Sequence, residues 1–533
     1  MNAKSFVKKC AVFLFAVALA SCGGSNVYEM IPTDAQFAVK VDAKSLLQKS
    51  LGDKEGNTKV ILNELKSACD DDFENEELAR IIKDIIDDPQ VSGINLNVPF
   101  VASGKGNIED EKVDVYIAFS LANAKKFKDF VEALYKESKD FSEEHYWASE
   151  PKRFSLDNEK EGYYLGDFIG EDLCLGIDKK VAVIYVSSEG LGENLKKGKR
   201  ALNNLFTQED GCAASGFKEF KEADNDVSVW VSCGTAIKEL LKIYKYDLGV
   251  FYKELSAKSE IYADAYYLMN VNFEMGKTIV EGTYGGSKEL KNLISKYYTT
   301  SSSKYFKYMP KNAVAAVNLG FDQDVFVDIW GELLKQGELM EDILDELKSE
   351  YGVNEKLLKG LPGVVTAALS LSSDENTPSF AVAVECSKEV FGVLDDVIEN
   401  FGFEKEGNAY VYEEEWSDTQ YYLAYIDGAI LFMDGETWKL SRGKALKDNY
   451  NASSSSTTIS KGGFAIDLTA LSKESLEDFS DEIGVGSQDL LGFISSVNVT
   501  YDKASFKLEC NMGDKKSYIL QKFIDIAAEY IAE

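Results

Sequence analysis

The feature that most constrains the fold of this 533-residue chain is internal repetition, because segments of its first half recur in the same order in its second half. The stretch 30–49, "MIPTDAQFAVKVDAKSLLQK", returns at 309–330 as "MPKNAVAAVNLGFDQDVFVDIW". Further matches join 113–134 to 378–398, 159–162 to 404–407, 175–186 to 424–434, 195–199 to 440–444, and 270–298 to 497–524. Repetition in a fixed order predicts two diverged copies of one module.

Each copy alternates short strands with tight turns or single helices. Apolar residues at every second position, such as Phe37, Val39 and Val41, indicate half-buried strands. We therefore predict an α+β fold, with mostly antiparallel sheet and packed helices in each copy. The Ser/Thr-rich stretch 297–306 marks the boundary, so the first repeat covers 30–300 and the second 301–533.

Several local elements are specified clearly. Two hairpins are expected to turn at Gly276-Lys277 and at Asp502-Lys503. The longest helical tracts are 57–87, 321–351 and 514–532, and the stretch 451–458 is expected to be a loop. The apolar stripe along 321–351 predicts core packing or a contact between the halves, rather than a ligand site.

The N-terminus has the pattern of a lipoprotein signal. Three lysines precede an apolar run over 10–20, which is well short of the ~20 apolar residues that span a bilayer. "LASC" (19–22) then supplies a small-residue cleavage site that ends at Cys22. We expect a signal peptide over 1–21, a lipid on Cys22 that anchors the protein to a membrane, and a flexible tether over 22–29. The alternative is an ordinary secretory signal with an incidental cysteine.

Charge and cysteine usage limit the partners. The formal net charge of −32 becomes −35 once the three lysines of the signal are removed, and so acidic a body repels phosphate backbones. Nucleic acid is therefore not an expected partner. We expect isolated buried thiols, in preference to disulfides, at Cys69, Cys174, Cys212, Cys233, Cys386 and Cys510.

Catalytic and metal-binding patterns are missing from the sequence. A single histidine, His145, excludes a multi-histidine zinc site and is expected to lie in a surface loop rather than in a catalytic triad, and the common nucleotide and hydrolase motifs do not occur. The best calcium-loop candidate, "DNEKEG" at 157–162, has Phe168 where a bidentate glutamate is needed, and it is interpreted as a turn kept in both copies. Glycoside hydrolysis needs two suitably placed carboxylates, and a sequence with 90 acidic residues does not single out such a pair. We expect no cofactor, no metal and no enzymatic activity.

One duplicated group of cations has no explanation in core packing. It comprises Lys196, Lys197, Lys199 and Arg200, with Arg442 and Lys444 in the second copy. Local positive charge on an acidic body predicts a docking spot for an anionic partner or ligand. The alternative is that these side chains lie at a helix C-terminus, which favours cations.

Lipobox, repeated strand openings and two strand–helix modules together resemble an uncharacterised family of Bacteroidetes lipoproteins. The resemblance implies an outer-membrane location, and the lack of acidic residues between Cys22 and Glu29 favours the periplasmic face over the cell surface. It implies no activity and no catalytic residues. We therefore expect a lipid-anchored, non-enzymatic envelope protein that binds an envelope partner; the alternatives are a binder of glycans or nutrients and a carboxylate-dependent hydrolase.

Overall fold

The structure, a computed structural model, describes most of the chain from residue 27 to residue 532. The residues outside this description are 1–26, 52–55, 73–75, 108–111, 145–147, 166–172, 189–194, 209–210, 244–255, 257–258, 298, 321–348, 350–362, 372–377, 415–416, 418, 454, 472–492 and 533. Cys22, His145 and most of the predicted helical tract 321–351 are among them.

Ten strands of the first half form a continuous antiparallel run. They are β1 (Phe37–Val41), β2 (Phe100–Asn107), β3 (Lys112–Ser120), β4 (Lys152–Ser155), β5 (Glu161–Tyr164), β6 (Leu173–Ile177), β7 (Val181–Ser187), β8 (Val227–Val231), β9 (Tyr266–Glu274) and β10 (Lys277–Gly285). Their spatial order is β4-β5-β6-β7-β3-β2-β1-β8-β9-β10.

Ten strands of the second half repeat this order. They are β11 (Ala315–Gly320), β12 (Val364–Leu371), β13 (Pro378–Glu385), β14 (Glu404–Glu406), β15 (Ala409–Glu413), β16 (Gln420–Ile426), β17 (Ala429–Asp434), β18 (Gly463–Asp467), β19 (Ile494–Asp502) and β20 (Ser505–Met512). Their order is β14-β15-β16-β17-β13-β12-β11-β18-β19-β20, and β10 pairs with β20 to join both halves into one sheet, which has twenty strands among the described residues. The shared order describes the architecture; duplication as its origin stays a prediction.

Helices follow corresponding strands in the two halves. The described α-helices are α1 (Ala43–Leu51), α2 (Asn57–Asp72), α3 (Glu76–Asp87), α4 (Ala124–Glu144), α5 (Leu195–Thr207), α6 (Phe217–Glu222), α7 (Cys233–Ile243), α8 (Ser259–Tyr262), α9 (Lys288–Tyr297), α10 (Lys388–Asn400), α11 (Gly435–Ser441) and α12 (Ile519–Ala532). Thus α4 and α10 follow β3 and β13, and α9 and α12 follow β10 and β20. The fold is α+β with an antiparallel sheet, as predicted.

Three apolar clusters fill the space between the sheet and the helices or loops that cover its faces. On one face of the first half, α3 and α4 pack Ile82 and Phe127 against Phe119 of β3. The other face buries Tyr185 and Trp230 among side chains from α5 and α6. The main cluster of the second half is rich in small side chains and includes Phe306, Met433 and Ile459, each at most 1% exposed.

Two segments predicted to be flexible or polar belong to the folded core. The last three residues of the predicted tether, 27–29, belong to the 3₁₀-helix Val27–Met30, and Val27 is completely buried. The tether assigned to 22–29 therefore cannot extend past residue 26. Likewise the boundary stretch 297–306 runs into the 3₁₀-helix Ser303–Tyr308, whose three aromatic side chains are buried. In both segments, burial depends on contacts with residues distant in sequence, so a prediction from local composition is wrong.

The two shortest sequence matches join positions that are not equivalent. "EKEG" at 159–162 contains Glu159, a left-handed residue of the turn between β4 and β5, whereas the second "EKE" is strand β14 itself. "LKKGK" at 195–199 begins α5, whereas "LSRGK" at 440–444 ends α11. A turn is therefore present in both copies, at Glu159 and at Gly407, but the four residues lie at different positions relative to it, because a match over four or five residues does not fix a position in the fold.

The remaining local predictions hold with small shifts. The two hairpins exist, but each turns one residue away from the predicted position, at Met275-Gly276 and at Lys503-Ala504. The tract 57–87 comprises two helices, and the C-terminal tract begins its helix at Ile519. All six cysteines in the described part are free thiols; Cys233 and Cys510 are half-buried and the other four are buried. Of the described helices, none is long and apolar enough to cross a bilayer.

Candidate binding site: a polar trough over the central hairpins

The four central strands, β9, β10, β20 and β19, carry polar side chains on one face of the sheet. Successive residues of a strand point to opposite faces, and directly paired residues point to the same face. The polar residues of this face, hereafter the polar face, are Asn270, Asn272, Glu274, Lys277, Glu281, Thr283, Ser496, Asn498, Thr500, Asp502, Ser505, Lys507, Glu509 and Asn511. The opposite face carries apolar residues such as Val271, Val280 and Leu508.

Alternating charges cross the polar face between β10 and β20. The ammonium of Lys507 lies 2.9 Å from the Glu509 carboxylate and 3.8 Å from that of Glu281. Lys277 lies 3.9 Å from Glu509 and 3.4 Å from Glu274. The hydrogen bond to Glu509 raises the pKa of Lys507 above its ordinary value. Exposed pairs of this kind contribute little stability, so their consequence is local neutrality in an acidic protein.

Two hollows lie over this face, and a third adjoins them. The first, of about 630 Å³, lies over Glu281, Thr500 and Lys507. The second, of about 390 Å³, lies over Asn498 and Glu509 and shares the lining residue Thr458 with the first. A third, of about 650 Å³, shares the residues Asp467 and Thr469 with the second. Because neighbours share lining residues, we treat the three hollows as one trough.

One wall of the trough is formed by residues 451–453 and 455–462, which include the described part of the predicted loop 451–458. The buried amide of Asn318 fixes it: Nδ2 donates to the Ile459 carbonyl at 2.9 Å, while Oδ1 accepts from Ser301 and Thr366. At the end of the segment, Gly463 has φ of 152°, and a Cβ atom there would lie 2.3 Å from the carbonyl oxygen of Val499. Only glycine lets this wall approach β19 so closely.

Asn498 lines the middle hollow and carries a buried polar atom without a partner in the described chain. Its side chain is 7% exposed, and within the described chain its Oδ1 has no hydrogen-bond partner. A buried acceptor without a partner costs about 1–3 kcal/mol, and an incoming donor would remove that cost. A polar trough whose lining includes buried polar atoms without partners, such as Asn498 Oδ1, has the chemistry of a binding site for a polar ligand.

The structure separates the predicted cations into two different environments. Lys196, Lys199 and Arg200 are exposed in the first turns of α5, where the helix dipole disfavours positive charge. Arg442, with φ of 47°, caps the C-terminus of α11, and Lys444 follows it. The helix-end explanation therefore fits the second group and is wrong for the first. Thirteen strand pairings separate β7, which precedes α5, from β17, which precedes α11.

Lys197 differs from its neighbours because it is held by the protein. Its ammonium lies 3.1 Å from the Asp114 carboxylate and donates to Ser187 at 2.7 Å. Burial favours the neutral acid of Asp114, but hydrogen bonds from Ser187, Tyr185 and Lys197 lower its pKa below the ordinary value. Lys197 is therefore a structural cation and contributes less to any docking surface than the exposed members of the group.

Sequence reasoning did not single out the trough. Cys22 lies outside the described residues, and within them no group of three or more histidine, cysteine or acidic side chains could hold a metal ion. The polar alternation of β19 and β20 was visible in the sequence, but their shared face with β9 and β10 follows from the pairing of β10 with β20.

Comparisons with known proteins identify a family and no activity. A family model described as "Domain of unknown function (DUF4836)" matches residues 27–437. Solved structures similar to the chain include crystal forms III and I of TP0453, each 11% identical with a TM-score of 0.25, covering 51% and 53% of this chain and 86% and 89% of theirs. No curated protein matches.

Proposed function

This chain belongs to the DUF4836 family, whose function is unknown, so we propose its role from its own residues. We propose that it is a lipid-anchored envelope protein that binds a ligand in the trough and does not alter that ligand chemically. The observation that carries the binding role is the unsatisfied, nine-tenths buried Asn498 inside a rigidly walled polar trough. Binding sites are largely preformed, with a few convergent polar groups, and the trough fits that description.

The proposed anchor is a lipid on Cys22, and it would hold the body close to the membrane. Val27 is already buried in the fold, so five residue steps separate it from Cys22. At ~3.5 Å per residue, an extended tether reaches about 18 Å. We place the protein on the outer membrane, at its periplasmic face, where the trough would meet ligands near the bilayer.

Fractionation with a cysteine control tests the anchor. Cys22→Ser should move the protein from the membrane fraction to the soluble fraction and abolish incorporation of labelled palmitate. Cys10→Ser, in the apolar run of the same signal, should change neither. Membrane retention of the Cys22→Ser protein would refute lipidation, and digestion by protease added to intact cells would place the protein on the surface instead.

A further inference from the structure

We infer that the ligand of the trough is a neutral oligosaccharide, which rests on the binding role proposed above and adds the class of ligand. The middle hollow is lined, among described residues, by polar side chains without exception: Ser455, Thr458, Asp467, Thr469, Ser495, Ser496, Asn498, Glu509, Asn511 and Lys515. Hydroxyl and amide side chains both donate and accept hydrogen bonds, as sugar hydroxyls do.

The lining disfavours an apolar ligand. An acyl chain needs an apolar surface, and the described lining residues of the middle hollow are all polar. The described lining of all three hollows carries five carboxylates and four ammonium groups: Glu281, Glu436, Asp467, Asp502, Glu509, Lys311, Lys461, Lys507 and Lys515. This near balance, in a chain of net charge −32, favours an uncharged ligand over a phosphate or a polycation.

The shape of the trough favours a chain of sugars over a single one. Its first two hollows follow β19, from Asp502 at one end to Ser496 at the other. Six residue steps at ~3.4 Å each give this floor a length of about 20 Å.

The first half provides an internal control for the role of Asn498. Asn270 and Asn498 each stand five residues before the turn of their hairpin, and each pairs with a glutamate, Glu281 or Glu509. Both have a buried Oδ1 without a partner in the described chain. Asn498 lines the middle hollow, whereas Asn270 is not among the described lining residues of the three hollows. Identical substitutions at the two positions therefore separate binding from folding.

The test uses the whole mature chain, residues 22–533, made soluble by Cys22→Ser. It is applied to an array of neutral hexasaccharides (malto-, cello-, xylo-, manno- and chito-), their acidic counterparts and random peptides, and the best neutral ligand is titrated by calorimetry. Asn498→Leu should weaken binding about tenfold, the effect of one lost hydrogen bond, whereas Asn270→Leu should change it less than about twofold. Thr458→Val, in the wall shared by two hollows, provides a second variant if Asn498→Leu does not fold.

Each outcome decides the proposal. Selective loss with Asn498→Leu or Thr458→Val supports an oligosaccharide in the trough. Equal loss with Asn270→Leu, or no neutral oligosaccharide bound, overturns it. Binding of peptides alone would overturn the ligand class while leaving the binding role intact. Shortening of the bound oligosaccharide would instead contradict the non-enzymatic role.

Discussion

Val280 and Leu508 pair directly across the centre of the twenty-stranded sheet, and each is the fourth residue after the turn of its hairpin. On either side of this pair, Lys277 lies opposite Asn511, and Thr283 opposite Ser505. The first residue after each hairpin turn thus pairs with the seventh residue after the other turn. This is the self-complementary pattern of an isologous contact between two like units. The junction of the halves thus forms both the middle of the sheet and the floor of the trough.

The central pairing predicts that a break in β20 destabilises the whole sheet. Leu508→Pro removes a backbone donor in a strand paired on both sides, and should lower the free energy of unfolding by about 3 kcal/mol or more in urea titrations. Leu508→Val, the matched control, keeps the donor and should cost about 1 kcal/mol. Equal effects of the two substitutions would contradict a central position for this pairing.

The sequence predicts those parts of the fold that depend on neighbouring residues. Alternation of polar and apolar residues along β19 and β20 specifies strands and a polar face, because side chains alternate across a sheet. Burial of Val27 and the environment of Asn498 depend instead on residues distant in the chain, which composition cannot reveal. Short identities such as "EKEG" mislead for the same reason: they carry no information about pairing.

The close approach of the trough wall to β19 predicts that substitution by alanine has opposite effects on the free energy of unfolding at Gly463 and at Gly392. Gly463→Ala would place a methyl group 2.3 Å from the Val499 carbonyl oxygen, and should cost about 2 kcal/mol or more in the free energy of unfolding. Gly392, inside α10, has open space around its Cβ direction, so Gly392→Ala should stabilise the protein by about 0.5–1 kcal/mol. Thermal and urea unfolding of the two variants measures both effects. A neutral result at Gly463 would mean that the wall can move away from β19.

The positions of Lys196 and Arg442 predict that charge reversal changes the free energy of unfolding in opposite directions at the two residues. Lys196 lies in the first turn of α5, so Lys196→Glu should raise the free energy of unfolding by about 0.3–1 kcal/mol at low salt. Arg442 caps the C-terminus of α11, so Arg442→Glu should lower it by a similar amount. High salt should shrink both effects. The same sign at both positions would show that net charge, rather than the helix dipole, controls them.

Because the ammonium of Lys40 is buried, we predict that the free energy of unfolding changes with pH in the alkaline range. Lys40 is 2% exposed, and it donates to the carbonyl oxygens of Phe220, at 3.0 Å, and of Ala223, at the end of α6. Burial lowers its pKa below the ordinary value of 10.5, against the opposing charges of Asp224 and Asp42. Between the lowered pKa and 10.5 the unfolded chain binds more protons than the folded protein, so this residue makes stability rise with pH in that window.

Substitution by methionine isolates this contribution. Lys40→Met keeps a long apolar stem, leaves the two carbonyl groups without this donor, and should cost about 1–3 kcal/mol at pH 7. The variant has no titrating group at this position, so the difference in free energy of unfolding between wild type and variant should widen as the pH rises towards 10.5. Subtraction removes the shared effect of buried tyrosines such as Tyr185, whose pKa is raised by burial and whose influence has the opposite sign above pH 10. A difference that stays constant or narrows across this range would contradict a lowered pKa for Lys40.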